Sequence, residues 1–189
     1  MSAACPSLSE RDIAAIAARI TRPVVLVGLM GDGKSTDGRK LAHLLGRDFI
    51  DADDAIVEAA QRSIPEIFET FGEAHFRDGE RRVIARLIDE GHGVIATGGG
   101  AFVDPSTRAT VLEKGIAVWI DCDVDTLVER TSRRATRPLL KQGNPHEILT
   151  RLARERAPFY AEAPIRVVSE SGPHADTARA ILKAIDAWL

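Results

Sequence analysis

The chain has 189 residues, 44% of them hydrophobic and 28% charged, a balance typical of one globular domain with a substantial core. Its formal net charge of -3 supplies no global basic field, which argues against nucleic acid or an anionic membrane surface as a partner. Cys5 and Cys122, the only cysteines, suit neither a disulfide framework nor a paired metal motif and fit a reducing cytosol. No apolar run approaches the roughly 18 to 20 residues that cross a bilayer, and no charged segment followed by an apolar core opens the chain, so a cytoplasmic location is expected.

Residues Leu8 to Ile20 predict an amphipathic helix, with Ser9 as N-cap, Asp12 three residues on, and Ile13, Ile16, Ala17 and Ile20 at helical spacing. The run Val24-Val25-Leu26-Val27 between Pro23 and Gly28 reads as a strand buried on both faces. Further short strands are predicted at Asp48 to Ile50, Val94 to Thr97, Ile116 to Ile120 and Ile165 to Val168, with helical periodicity between them. Repeated β-then-α order requires right-handed crossovers, hence an α/β architecture of three layers with helices on both sides of a five-stranded parallel sheet. Thr131 to Pro145 gathers Arg133, Arg134, Arg137 and Lys141 among prolines and glycine and reads as a mobile basic loop. Pro145 opens a further helix, and Asp176 to Leu189 predicts the last.

Gly28-Leu29-Met30-Gly31-Asp32-Gly33-Lys34-Ser35, followed by Thr36, matches the P-loop pattern and directly follows the strongest strand. Glycines let successive N–H groups turn toward one anion, and the helix beginning near Gly33 adds the positive end of its dipole. Lys34 would reach the β- and γ-phosphates of ATP, and the Ser35 hydroxyl suits Mg²⁺. The motif indicates nucleotide binding and leaves kinase and hydrolase open. Two residues sit awkwardly. Asp32 brings a carboxylate to a triphosphate site, and an outward-facing side chain is the ordinary expectation. Asp37 costs little if exposed near the helix start and much if buried.

Asp51 and Asp53 lie just past the second strand, at the sheet edge where ligands bind in doubly wound folds. Asp51 could serve Mg²⁺ while Asp53 takes the proton of an attacking hydroxyl; the other reading is a helix N-cap ahead of Ala55 to Ala60. Arg77 stands in a helical stretch, Glu73 to Asp89, crowded with other charges, where a surface ion pair is the ordinary role. Gly98-Gly99-Gly100 follows the third strand and suits close contact of main chain with a ligand. Arg137 is of the type that meets phosphoryl charge from a closing loop, and Arg156 offers a planar fork for a carboxylate.

As a set, these residues resemble the shikimate kinase family over Val24 to Val168. The likeness rests on Gly28 to Thr36, Phe49-Ile50-Asp51-Ala52-Asp53, Phe76-Arg77, Thr97 to Gly100, Arg137-Pro138-Leu139-Leu140 and Arg156-Ala157-Pro158-Phe159-Tyr160. The resemblance implies the nucleoside-monophosphate-kinase fold with sheet order 2-3-1-4-5, and ATP-dependent phosphorylation of the shikimate 3-hydroxyl on the way to chorismate. It implies Asp53 as base, Arg77 and Arg156 on the shikimate carboxylate, the backbone of Gly98, Gly99 and Gly100 on the ring substituents, and Arg137 in a lid over ATP. The expected division is an N-terminal helical extension, 1–22, and a kinase domain, 23–189, with the lid at about 131–145; a monomer is expected.

Asp32 and Asp37 depart from the family, which carries a small neutral and an aliphatic residue there. The chain is accordingly expected to bind ATP more weakly than an Asp32→Ala, Asp37→Val variant. Two rivals stand beside this reading: a kinase for another carboxylated polyol such as gluconate, or a nucleotide kinase, on the same fold; and a nucleotide-binding domain whose turnover the two aspartates have disabled.

Overall fold

Val24–Val27 form strand β1, and all four side chains are fully buried, as a β-branched run covered by helices on both faces requires. The computed structural model describes residues 8–133, 143–170 and 172–189. Around β1 the described residues form a parallel sheet with β2 (Phe49–Asp51), β3 (Val94–Ala96), β4 (Ile116–Asp121) and β5 (Ile165–Val168), in the order β2-β3-β1-β4-β5. Val25 sits opposite Ile95 on one side and Ala117 on the other. The expected order is observed, with strand ends displaced by one residue at β2, β3 and β4.

Helix α1 (Glu10–Arg19) begins at the expected capping box, in which Asp12 N–H donates to Ser9 Oγ at 3.2 Å and Ser9 N–H to Asp12 Oδ2 at 3.0 Å. Helix α2 (Lys34–Leu45) starts from Gly33 in the left-handed region, φ 96°, and stops at Gly46, φ 61°. Next come α3 (Ala52–Ala60) and α4 (Ile64–Asp89). The second opens on a capping box of Ser63 and Glu66 with Pro65 in its first turn, and is broken at Gly72, φ 83° and ψ 172°. A 3-10 turn (Ala101–Val103), α5 (Pro105–Lys114), α6 (Val124–Ser132), α7 (Pro145–Tyr160) and α8 (His174–Trp188) complete the described chain. Among the described residues, no helix is long and apolar enough to cross a membrane.

The sheet separates two cores. Val25, Val27, Ile84, Ile95, Phe102 and Leu149 belong to one, beneath α3, α4, α5 and α7. Val24, Leu26, Leu41, Ile16, Ile20 and Ile181 belong to the other, which joins α1, α2 and α8. The period-2 alternation of β1 assigns its neighbours to opposite sides. Gly38 lets α2 lie close on the sheet, since a Cβ there would stand 2.5 Å from the Phe49 ring and 3.1 Å from Leu26.

Candidate active site

The turn after β1 carries Gly28, Gly31 and Gly33 at φ 143°, 85° and 96°, conformations that side chains beyond glycine rarely adopt. Such twists allow loop amides to turn toward one anion at the start of α2, where the helix dipole adds positive potential. Residues 31–36 of the loop line a cleft of about 240 Å³ together with Asp51, Asp53, Gly98, Gly99, Arg130 and His174. The carboxyl ends of β1, β2 and β3 thus open on one space, as the switch-point rule of parallel sheets requires.

Lys34 is drawn inward and is 7% exposed. Its ammonium donates to Gly28 O at 2.9 Å, Leu29 O at 2.7 Å, and Asp32 Oδ1 and Oδ2 at 2.9 and 3.0 Å. The expected outward Asp32 is therefore corrected: the residue is 1% exposed and its carboxylate lies inside the loop. Attraction to the lysine overrides the preference of a lone charge for water.

Asp37 is fully buried, the costly alternative. His174 Nδ1 lies 2.7 Å from its Oδ1, while Oδ2 has no hydrogen-bond partner among the described residues. Burial pushes its carboxyl up to about 6, against the opposing pull of His174.

Ser35 Oγ donates to Asp51 Oδ2 at 2.5 Å, which places a hydroxyl and a carboxylate together at the mouth of the loop. Such hard oxygen donors suit Mg²⁺, an ion that keeps several waters and is commonly bound by one or two protein oxygens plus phosphate. Asp51 is also the N-cap of α3, accepting from Asp53 N–H at 2.9 Å. The helix thus begins at Ala52, ahead of the Ala55 start expected from the sequence. Asp53 stands in its first turn rather than in extended chain, and still faces the same cleft as Asp51.

Each glycine of the triplet faces one of the other candidates. A Cβ on Gly98 would stand 3.0 Å from Asp53 Oδ1 and 3.0 Å from Glu80 Oε1; on Gly99, 3.3 Å from Arg156 Nη1; on Gly100, 2.5 Å from Arg77 Nη2. Asp53, Arg77 and Arg156, which come from α3, α4 and α7, therefore converge on one arc of bare backbone. Tyr160, one turn beyond Arg156 on α7, fastens that arc by donating its hydroxyl to Gly99 O. It is 1% exposed, and burial pushes its phenol up to about 12.

Two further residues belong to the site. Glu80 is 2% exposed and pairs with Arg77 at 2.7 Å. Burial raises its carboxyl above the ordinary range, and Arg77 opposes the shift. Arg130 Nη1 reaches Asp32 O at 3.0 Å and Ser169 Oγ at 3.3 Å, while Nη2 reaches Glu170 O at 3.0 Å, tying the loop to the segment after β5. Spacing marks Glu80 as the i+3 partner of Arg77, whereas nothing local marks Arg130. Arg134, Arg137 and Lys141 of the expected basic loop lie outside the described residues.

A family model described as shikimate kinase matches residues 30–186. A shikimate kinase of Novosphingobium aromaticivorans is 62% identical over 186 residues, covering 96% of each chain. One of Rhodopseudomonas palustris is 52% identical over 166 residues, 88% of this chain and 82% of its own. Among solved structures, shikimate kinase from Acinetobacter baumannii in complex with shikimate superposes with a TM-score of 0.86 at 40% identity, covering 91% of this chain and 97% of that one. A gluconokinase from Sinorhizobium meliloti, at 19% identity and a TM-score of 0.63 over 90% of this chain and 94% of its own, shares the fold alone.

Proposed function

The chain belongs to the shikimate kinase family, and from that premise we propose how its residues divide the work. The reaction transfers the γ-phosphoryl group of ATP to the 3-hydroxyl of shikimate, giving shikimate 3-phosphate and ADP on the way to chorismate. The observation that carries the assignment of roles is the convergence of Asp53, Arg77 and Arg156 on the glycine triplet beside the P-loop.

Arg77 and Arg156 hold the shikimate carboxylate through charge-assisted, forked hydrogen bonds. The backbone of Gly98, Gly99 and Gly100 meets the ring substituents, and Asp53 accepts the proton of the attacking hydroxyl. Gly31, Asp32, Gly33, Lys34, Ser35 and Thr36 form the nucleotide cradle, with Lys34 and Arg137 meeting the charge of the transferring group. Ser35 and Asp51 would hold Mg²⁺, which supplies charge neutralisation on the phosphates. Transfer of this kind depends chiefly on positioning and electrostatics, so the fixed arc of glycines and the pair of buried Glu80 with half-buried Arg77 are functional parts of the site.

Residues 23–189 are assigned to the kinase domain, with the lid at about 131–145, and 1–22 to an extension. A cytoplasmic monomer with no nucleic-acid or membrane partner is the proposed working form.

The deciding experiment is a coupled ADP-release assay with Mg-ATP and shikimate, gluconate or no acceptor. Shikimate-dependent release is expected, falling by at least about a hundredfold in Asp53→Asn. Release driven by gluconate, or an unimpaired Asp53→Asn enzyme, would overturn the reading.

A further inference from the structure

The phosphate cradle of this chain holds an anion of its own. Asp32 Oδ1 accepts from Lys34 backbone N–H at 3.2 Å, and both carboxylate oxygens accept from the Lys34 ammonium. One loop amide and the loop's cation, the kinds of donor a P-loop directs at polyphosphate, are thus both turned to one side chain. The fit is close. A Cβ on Gly28 would stand 2.3 Å from Asp32 Oδ2, so the carboxylate fills the hollow left by that glycine. Asp32 is 1% exposed and Lys34 7%, so solvent competes little for either partner.

We propose that the Asp32 carboxylate is a resident competitor for the polyphosphate position, and that this residue sets the affinity of the kinase for nucleotide. Entry of ATP requires Asp32 to leave, because the lysine and the loop amide cannot serve two anions at once. Apparent affinity is then lowered by the fraction of molecules in which the hole is open. Since that fraction belongs to the protein, every ligand that enters the hole is weakened by one factor: ATP, ADP and bare pyrophosphate alike. Substrate and product are affected together, so the competitor also favours release of ADP. Asp37 does not occupy that position: its Oδ1 pairs with His174, and its Oδ2 lies 3.1 Å from where a Cβ on Gly33 would stand. The proposal rests on the P-loop reading above and concerns how tightly the loop binds, not which acceptor is used.

The test is calorimetric titration of the full-length chain, as wild type, Asp32→Ala and Asp32→Asn, with Mg-ADP and separately with Mg-pyrophosphate. Asp32→Ala should tighten both by at least about tenfold and by the same factor. Asp32→Asn, which keeps the shape and loses the charge, should tighten both by less. Occupation at contact distance should persist in about 0.5 M NaCl, whereas repulsion from a carboxylate standing clear of the loop would be screened. Unchanged or weaker binding in Asp32→Ala at an unaltered Tm would overturn the proposal. So would tightening of ADP without pyrophosphate, or a gain that vanishes in salt. Shikimate binding without nucleotide, followed in the same samples, separates these outcomes from a failure of the acceptor assignment.

Discussion

Glu80 holds a charge where burial disfavours one, and the Arg77 guanidinium 2.7 Å away is what makes that tolerable. The same contact fixes the guanidinium beneath Gly100. Glu80→Gln keeps the size and part of the hydrogen bonding while removing the counter-charge. It should raise KM for shikimate by about tenfold and leave KM for ATP within twofold, a split that steady-state kinetics in each substrate will read. Had Glu80 served only to stabilise the helix, both constants would stay put and Tm alone would fall. The sequence shows Arg77 and Glu80 at i and i+3 but in a crowd with Glu73, Arg81 and Arg82, so spacing cannot say which pair turns inward. Asp32 poses the same difficulty. Its inward rotamer is set by Lys34 and by the empty Cβ position of Gly28, a contact that is invisible until the loop is folded. Lys34, Ser35 and the glycines were legible because the loop motif is contiguous and its mechanism local.

Among elements, the entries to β2 and β3 are joined by side chains. Asp48 Oδ1 accepts from Gly93 N–H at 2.7 Å, Asp48 Oδ2 pairs with His92 Nδ1, and Glu90 lies 3.1 Å from His92 Nε2. Burial alone would lower the imidazole, but its hydrogen bonds to the Asp48 and Glu90 carboxylates prevail and raise it above its ordinary value. The contact with His92 holds the Asp48 carboxyl below its own. A raised histidine stabilises below its unfolded pKa and loses that contribution as pH rises through the folded one. A lowered aspartate stabilises above its unfolded pKa and loses that contribution in acid. The pair therefore acts most fully between about pH 4 and 6.5. The Tm deficit of His92→Ala should be larger at pH 5.5 than at pH 8.5 by on the order of 2 °C, and a pH-independent deficit would refute the coupling.

Packing of α2 is a second test at this scale. Gly38→Ala must displace Phe49, and should cost about 1 to 3 kcal/mol in chemical denaturation. Periodicity gave β1 and β5 to the residue and the capping box of α1 in full. It missed the early start of α3, because Asp51 ends a strand and caps a helix at once. It also missed the first part of α4, whose Ser63, Pro65 and Glu66 are a start signal divided from the longer charged stretch by the break at Gly72.

For the molecule as a whole, residues alone implied alternating strands and helices, whereas the order of strands came from family resemblance, since nothing in a short apolar run names its neighbour. The N-terminal extension had no assigned role in the sequence. In the fold, Ile16 and Ile20 are 4% and 1% exposed within the core shared by α2 and α8, and Arg47 Nη2 donates to Ala17 O at 3.2 Å and to Ile20 O. Removing residues 1–22 should forfeit about 1.5 to 3 kcal/mol for each isoleucine and lower Tm by on the order of 10 °C. KM for shikimate should stay within twofold, because the residues proposed to hold the acceptor rest on the opposite core. Equal loss of stability and of shikimate affinity would show that the two sides are not independent.

Consecutive positions of β1 face those two cores, which makes four residues a pair of reporters. Methyl resonances of Val25 and Val27 should shift when shikimate binds, while those of Val24 and Leu26 should answer to truncation of α1. Isotope-labelled valine and leucine in one short strand would thus record in a single spectrum which half of the kinase a ligand or a substitution disturbs.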